Sequence, residues 1–228
     1  MAGRAAMART DYKGAIGYFS DLFNNAGCPS DLKVQAMFAA ADAYVSRTDA
    51  GATNRPVDLK EAVNLLKAIA DSGTNAQSIR ASGRLGYCYQ ELGSFDEAAE
   101  AYRKVISSPL ATLGAQRQAR VGLGIIAEKK AEGKSGPEQQ ALLKEALSNY
   151  VDAFTFEREL RNGEQNDSFW LQKAGLESAR LAEALGEWPQ AINLYSELQN
   201  TKDLSAAMRS TLDKKIAKAR EHMVSVKK

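Results

Sequence analysis

The chain has 228 residues and a formal net charge of +2, so binding to nucleic acid through bulk charge is disfavoured. With 1 His and 2 Cys, Cys28 and Cys88, it has almost no ligands for structural zinc or a disulfide framework, and metallohydrolase and Ser-His-Asp catalysis are disfavoured. The sequence therefore predicts no catalytic residues, no cofactor and no metal. No apolar run approaches the roughly 18 residues of a membrane span, so no membrane insertion by this segment is predicted either.

Helix is predicted over most of the chain, since it is rich in Ala, has only 5 Pro and lacks the alternation typical of strands. Clusters of Gly, Pro, Ser and Asn predict breaks at 27–30, 48–56, 71–75, 107–109, 132–137 and 161–167. The segments between them are about 12 to 22 residues long, the length of the arms of helical hairpins.

One pattern recurs five times along the chain. An Ala is followed four residues later by a large apolar or aromatic side chain, in Ala15/Phe19, Ala62/Leu66, Ala98/Tyr102, Ala146/Tyr150 and Ala191/Tyr195. Further apolar residues stand one and seven residues after each Ala, and these offsets share one face of a helix. We interpret these segments as the second helices of hairpins, in which the Ala allows close approach and the large side chain fills the space beside it.

A second pattern precedes each of these segments. A small residue is followed three residues later by Ala or Tyr, in Gly3/Ala6, Ala41/Tyr44, Gly86/Tyr89, Gly124/Ala127 and Ala179/Ala182. This spacing predicts the tightly packed face of the first helix of each hairpin.

Together these residues resemble the tetratricopeptide repeat (TPR) superfamily. The signature is carried by Leu85, Gly86, Tyr89, Gly93, Phe95, Ala98 and Tyr102, and its second half by Gly186, Trp188, Ala191 and Tyr195. The resemblance implies an all-α fold, a right-handed superhelical solenoid of antiparallel helix hairpins.

The repeats are longer than those of the family. The five Ala positions are 36 to 48 residues apart, against about 34 in the family. We expect a single solenoid over 1–228, with repeats at approximately 1–25 (partial), 31–72, 76–107, 112–160 and 168–200. A capping helix is predicted at 204–226 from apolar positions such as Leu204, Leu212 and Ile216. Residues 202–228 hold 8 basic and 3 acidic residues, typical either of a solvated cap or of a surface for an anionic partner.

The beginning of the chain carries a narrower resemblance. Ala15, Ile16, Phe19 and Leu22, followed by Pro29, Leu32 and Ala36, resemble bacterial envelope TPR proteins of the outer-membrane-assembly lipoprotein and Tol-Pal-associated types. This favours the periplasm or envelope over the cytoplasm, and the compartment stays open. Because Gly3 aligns with the middle of a first helix, we expect a segment of a longer array, in which Ile16 and Phe19 are uncovered. We expect either weak self-association or a frayed N-terminus through about Thr10.

The resemblance implies a non-enzymatic scaffold that binds a peptide or protein segment in a concave groove lined by first helices. Two alternatives stay open: a self-associating or spacer segment of a larger envelope or multidomain protein, and an accessory domain of an enzyme. Chaperone tails are disfavoured as ligands, because Asp42, Tyr87 and Ile125 are among the residues that stand where the family's carboxylate clamp has Lys and Asn.

The family's groove positions fall on ten residues of this chain, named here as the candidate site: Phe38, Asp42, Arg80, Tyr87, Gln90, Val121, Ile125, Glu128, Leu176 and Arg180. Five of them are apolar, although hairpin packing does not require this. They form either an exposed strip for aliphatic anchors of the partner, or core positions covered by a neighbouring helix.

Overall fold

The computed structural model describes residues 1–47, 55–157, 159–161, 163–164 and 167–225. These residues form eleven helices and no strand, which confirms the predicted all-α class. The helices are α1 (Ala2–Ala8), α2 (Tyr12–Asn24), α3 (Ser30–Ser46), α4 (Arg55–Ala70), α5 (Ala76–Glu91), α6 (Phe95–Ser107), α7 (Leu113–Ala131), α8 (Gly136–Thr155), α9 (Ser168–Ala184), α10 (Trp188–Gln199) and α11 (Ala206–Ser225).

Most of the predicted breaks fall between helices. Of the break at 48–56, residues 48–54 lie outside the described residues, and Pro56 lies within the first turn of α4 instead of before it. Proline is well placed there, because the first turn needs no intrahelical N–H donor. Pro137, the last residue of the predicted break at 132–137, occupies the same kind of position at the start of α8.

Side chains cap several helix starts. The Asp11 carboxylate accepts a hydrogen bond from the Gly14 N–H at 2.9 Å, and Thr112 accepts one from Ala115 at 3.1 Å. At α5 the Asn75 and Ser78 side chains each accept from the backbone N–H of the other. Such caps satisfy N–H groups that have no partner in the first turn, so they fix where these helices begin.

Glycine ends two first helices in the same way. Gly93 and Gly186 adopt φ of +76° and +74°, after α5 and α9 respectively. The next N–H then turns back to the helix, from Ser94 to the Tyr89 carbonyl and from Glu187 to the Ala182 carbonyl, both at 2.9 Å. This motif favours Gly and makes a short turn into the second helix.

The chain divides into two compact units. Unit 1 is Met1–Ala111 and unit 2 is Thr112–Lys228. Within each unit every helix packs against the next one in sequence, and in unit 2 the first helices α7 and α9 also pack against each other. This packing is consistent with a TPR-like helical repeat solenoid. The division into five repeats and a cap stays a prediction.

The first and second helices of three hairpins meet at a glycine and an aromatic ring. A Cβ atom at Gly3 would lie 2.6 Å from the Phe19 ring, and one at Gly86 or Gly124 would lie 2.5 Å from Tyr102 or Tyr150. The expectation that Phe19 lacks cover is therefore wrong, because α1 packs on its ring and leaves it buried. Ile16 is half-buried.

Candidate functional site

The candidate site lies on the first helices of both units. In unit 1, α3 carries Phe38 and Asp42, and α5 carries Arg80, Tyr87 and Gln90. We call these five residues the unit 1 face. In unit 2, α7 carries Val121, Ile125 and Glu128, and α9 carries Leu176 and Arg180. We call these the unit 2 face, and the two faces are described separately.

Phe38 belongs to the core of unit 1. Its side chain is 6% exposed and packs in a cluster with Leu59, Leu66 and other residues. The guanidinium groups of Arg80 and Arg84 lie over its ring, at 4.8 and 5.5 Å from the centroid. The arginines of α5 therefore cover the aromatic residue of α3, and the prediction of an exposed strip is wrong for Phe38.

Asp42 pairs with Arg84, one turn before Tyr87 on α5. Both side chains are partly exposed. Burial lowers the pKa of the Arg84 guanidinium, because it removes water from the charged form, while the nearby Cys88 thiol acts in the opposite direction. Arg84 was not among the predicted site residues, although it links α3 to α5 on this face.

Tyr87 and Gln90 are half-buried. Tyr87 packs against the core of unit 1 with part of its surface still accessible. The Gln90 side-chain carbonyl accepts a hydrogen bond from the Tyr102 hydroxyl at 3.2 Å. Gln90 therefore serves first to satisfy a buried hydroxyl of the second helix α6, while Tyr87 presents an apolar surface on the face.

The apolar residues of unit 2 divide in a similar way. Val121 is fully buried, because α9 packs against α7 and the core closes over it. The prediction of an exposed strip is thus wrong for Val121 as well. Ile125 and Leu176 pack against the same core but stay half-buried, so each keeps some accessible surface.

Glu128 and Arg180 bind each other across α7 and α9. The Arg180 guanidinium donates to both carboxylate oxygens of Glu128 at 2.7 Å, and its Nε donates to Glu177 at 2.7 Å. Partial burial acts to lower the pKa of Arg180, but the hydrogen bonds to Glu128 and Glu177 outweigh it and raise the pKa. These two predicted binding residues are therefore already paired within unit 2.

The Tyr150 hydroxyl completes this network. It donates to Glu128 at 2.7 Å from the second helix α8. Burial raises the pKa of Tyr150 well above its usual value, and the hydrogen bond to Glu128 and the negative charge there raise it further. Glu128 thus holds a buried phenol and a guanidinium together, which is a structural role.

The remaining chemistry of the described residues is sparse. They include no group of three or more His, Cys, Asp or Glu side chains that could hold a metal ion. Cys88 is buried, and this burial raises the pKa of its thiol to about 11. A cavity of about 310 Å³ in unit 2 is lined mainly by polar residues, among them Glu157, Glu197 and Asp203. No helix among the described residues is both long and apolar enough to cross a membrane.

Comparison with protein families matches one segment of the chain to a known repeat. Residues 84–109, which span the end of α5 and all of α6, match the model of the tetratricopeptide repeat. The match identifies this segment as a tetratricopeptide repeat and supports the TPR superfamily for the chain. It has no bearing on the narrower likeness to envelope proteins. Among curated proteins, no significant match to the chain is found.

Proposed function

We propose that this chain, with its tetratricopeptide repeat at 84–109, is a non-enzymatic scaffold that binds a segment of another protein on its first helices. Such repeats are typically non-catalytic and suggest a role in protein–protein interaction. The observation that carries the finer proposal is the half-buried state of Tyr87, Ile125 and Leu176. The contact between first and second helices does not require bulk at these positions.

The surroundings of these side chains support a binding role. Tyr87 lies on the same helix as the exposed Arg80, and Leu176 lies four residues before the partly exposed Arg180. An apolar centre with a charged rim is the usual composition of a protein interface. Because Phe38 and Val121 are buried, the proposed contact surface is smaller than the sequence predicts.

The test is alanine substitution of the accessible apolar residues. Tyr87→Ala and Ile125→Ala should each weaken binding by roughly 1 to 3 kcal/mol, the range of interface hot spots. A partner is first captured from the source cell and identified, and its affinity for each variant is then measured by titration calorimetry. Thermal melting of the same samples reports stability.

Val63→Ala and Ile192→Ala are matched controls, because these half-buried residues lie on the second helices α4 and α10. They should lower the melting temperature to a similar extent without changing affinity. If the Tyr87 and Ile125 variants behave like these controls, both residues are only core and the proposal fails. A mass that rises with concentration in sedimentation, with no partner bound, would favour the self-associating alternative.

A further inference from the structure

Arg80 differs from the neighbouring arginines of unit 1 in its ion pairing. Three arginines between the end of α3 and the end of α5 pair with carboxylates, in Arg47–Asp58, Arg55–Glu91 and Arg84–Asp42. Arg80 lies on α5 and is exposed, and it forms no ion pair within the part of the chain that the structure describes. Among the described residues of the unit 1 face, the one carboxylate is that of Asp42, and it pairs with Arg84 instead of Arg80.

The guanidinium of Arg80 is nevertheless held in place. It lies 4.8 Å from the centre of the Phe38 ring, and this ring is fixed in the core of unit 1. Stacking on an aromatic ring attracts the cation and limits the conformations of its side chain. A partner that binds Arg80 thus loses less side-chain entropy than one that binds a freely moving arginine.

We propose that Arg80 binds the side-chain carboxylate of an acidic residue in an extended protein segment that docks on the unit 1 face. This inference rests on the proposed scaffold function. A carboxylate fits because a planar guanidinium donates two parallel hydrogen bonds to it, and because its single negative charge matches the positive charge of Arg80. A phosphate carries up to two negative charges, more than the single charge of the Arg80 guanidinium balances, so phosphorylated segments and nucleic acid fit less well.

Tyr87 offers the docked segment a second, apolar contact. It follows Arg80 by seven residues, so the two Cα atoms are separated by about 10.5 Å along the same side of α5. An extended segment advances about 3.3 Å per residue and covers this distance in three residues. The segment that fits therefore has an acidic residue and an apolar residue three positions apart.

The experiment selects random peptides of about twelve residues, displayed on phage as amino-terminal fusions, on the immobilised full chain. Amino-terminal display gives no peptide a free carboxyl terminus, so any acidic signal comes from Asp or Glu side chains. Parallel selections use Arg80→Gln, Arg80→Lys and Arg103→Gln. Arg103 is an exposed arginine of α6, so this control loses the same charge away from the face. Circular dichroism checks that each variant folds.

The expected result is enrichment of peptides with an acidic residue three positions from an apolar one, on the wild-type chain and on Arg103→Gln. Glu→Gln in a selected peptide, or Arg80→Gln in the chain, should each weaken binding by about 10-fold, and the two changes together should add little more. Arg80→Lys should be intermediate, because it keeps the charge and loses the planar fork.

The inference is overturned if enriched peptides lack acidic residues, or if acidic peptides bind Arg80→Gln as well as they bind the wild type. Preference for phosphoserine versions of the selected peptides over Glu versions would also overturn it, in favour of a phosphate site. Peptides without acidic residues that lose binding in Tyr87→Ala would leave the scaffold proposal standing. Absence of any peptide that depends on Arg80 or Tyr87 would contradict both proposals for this face.

Discussion

A Cβ atom at Gly86 would lie 2.5 Å from Cε1 of Tyr102, closer than carbon atoms that are not bonded to each other approach in proteins. The first helix α5 therefore packs directly on the ring of the second helix α6, and only a residue without a side chain fits at 86. Gly124 and Tyr150 stand in the same relation in unit 2. Each glycine is thus matched to an aromatic ring on the other helix of its hairpin.

Gly86→Ala should destabilise the protein. The Tyr102 ring is 2% exposed and cannot move aside, so the added methyl group forces a shift of α5 against α6. Overpacking usually costs about 1 to 3 kcal/mol. The gain of up to about 1 kcal/mol that Ala brings inside a helix offsets part of this cost, so we expect the free energy of unfolding to fall by up to about 2 kcal/mol. Urea unfolding followed by circular dichroism measures the difference.

Gly17→Ala is the matched control. Gly17 is an exposed residue inside α2, and a Cβ atom there would meet nothing within 4 Å. The same substitution should therefore stabilise the protein by up to about 1 kcal/mol. The account of the glycine and ring contact would be refuted by two variants that shift stability in the same direction.

The hairpin cores were predictable from the sequence. All five Ala residues of the second-helix pattern are fully buried, and the large side chains that follow them by four residues are at most 8% exposed. This works because the period of a helix fixes which residues share a face, and a buried face repeats with the hairpin.

The fate of Phe38 and Val121 could not be derived from the sequence. Both lie on a first helix, where burial depends on how close the next first helix comes. That distance depends on packing between segments roughly 40 residues apart, and the pattern within one hairpin does not specify it. Arg80 and Arg84 of α5 cover the Phe38 ring. Because arginines are charged, this cover produces no pattern of apolar residues from which the burial of Phe38 could be predicted.

A polar signal in the sequence was overlooked. Gln90 and Glu128 each stand four residues after the small residue of their first helix. Gln90 is hydrogen-bonded to Tyr102 of the second helix, and Glu128 is hydrogen-bonded to Tyr150. The corresponding position holds Met7 or Val45 where the second helix supplies Phe19 or Leu66 instead. A buried hydroxyl needs an acceptor, so this pairing predicts that Gln90 and Glu128 face their own hairpin.

Stability should fall in alkaline solution because of buried tyrosines. Burial raises the pKa of Tyr102, Tyr150 and Tyr195 in the folded chain, and for Tyr150 and Tyr195 the nearby carboxylates of Glu128 and Glu183 add to this. In the unfolded chain the same phenols ionise near pH 10. Above that pH the unfolded chain binds fewer protons than the folded one, so stability decreases as pH rises.

At about pH 11, each such tyrosine should lower the free energy of unfolding by about 1.4 kcal/mol. Below about pH 9, these tyrosines should have no effect on it. Urea midpoints measured at intervals between these values test it. Tyr150→Phe should reduce the slope of stability against pH in this range, although it also removes the hydrogen bond to Glu128. A slope that is unchanged in this variant would contradict the assignment.

The two cysteines should differ in reactivity. Cys88 is 1% exposed and burial raises the pKa of its thiol to about 11, whereas Cys28 is partly exposed in the loop before α3. Near pH 8 iodoacetamide should therefore modify one thiol in the folded chain and both in urea, as read by intact mass. Cys28→Ser should abolish the modification of the folded chain. Rapid labelling of Cys88 in that variant would show that α5 and α6 open readily.

Glu128 and Arg180 should be energetically coupled. Their ion pair, in which Nη2 of Arg180 donates to both carboxylate oxygens of Glu128, links α7 to α9, with the Glu128 side chain 26% exposed and that of Arg180 46% exposed. We expect a coupling energy of about 1 kcal/mol in a double-mutant cycle of Glu128→Gln and Arg180→Gln, since solvent screens part of the attraction. The Gln at 128 keeps an acceptor for the Tyr150 hydroxyl, so the cycle isolates the charge pair. Urea unfolding of the four proteins measures it.

Lys134 and Glu138 provide the comparison for this last cycle. Lys134 lies just before α8 and forms an ion pair with Glu138 in its first turn, with both side chains about half exposed or more. A pair of this kind contributes about 0.3 to 0.5 kcal/mol. The larger coupling of Glu128 and Arg180 should persist in high salt, because Glu128 also accepts from the buried Tyr150 and is partly shielded from ions. Equal couplings for the two pairs would mean that Arg180 is in effect a solvated residue, available to a partner of the unit 2 face.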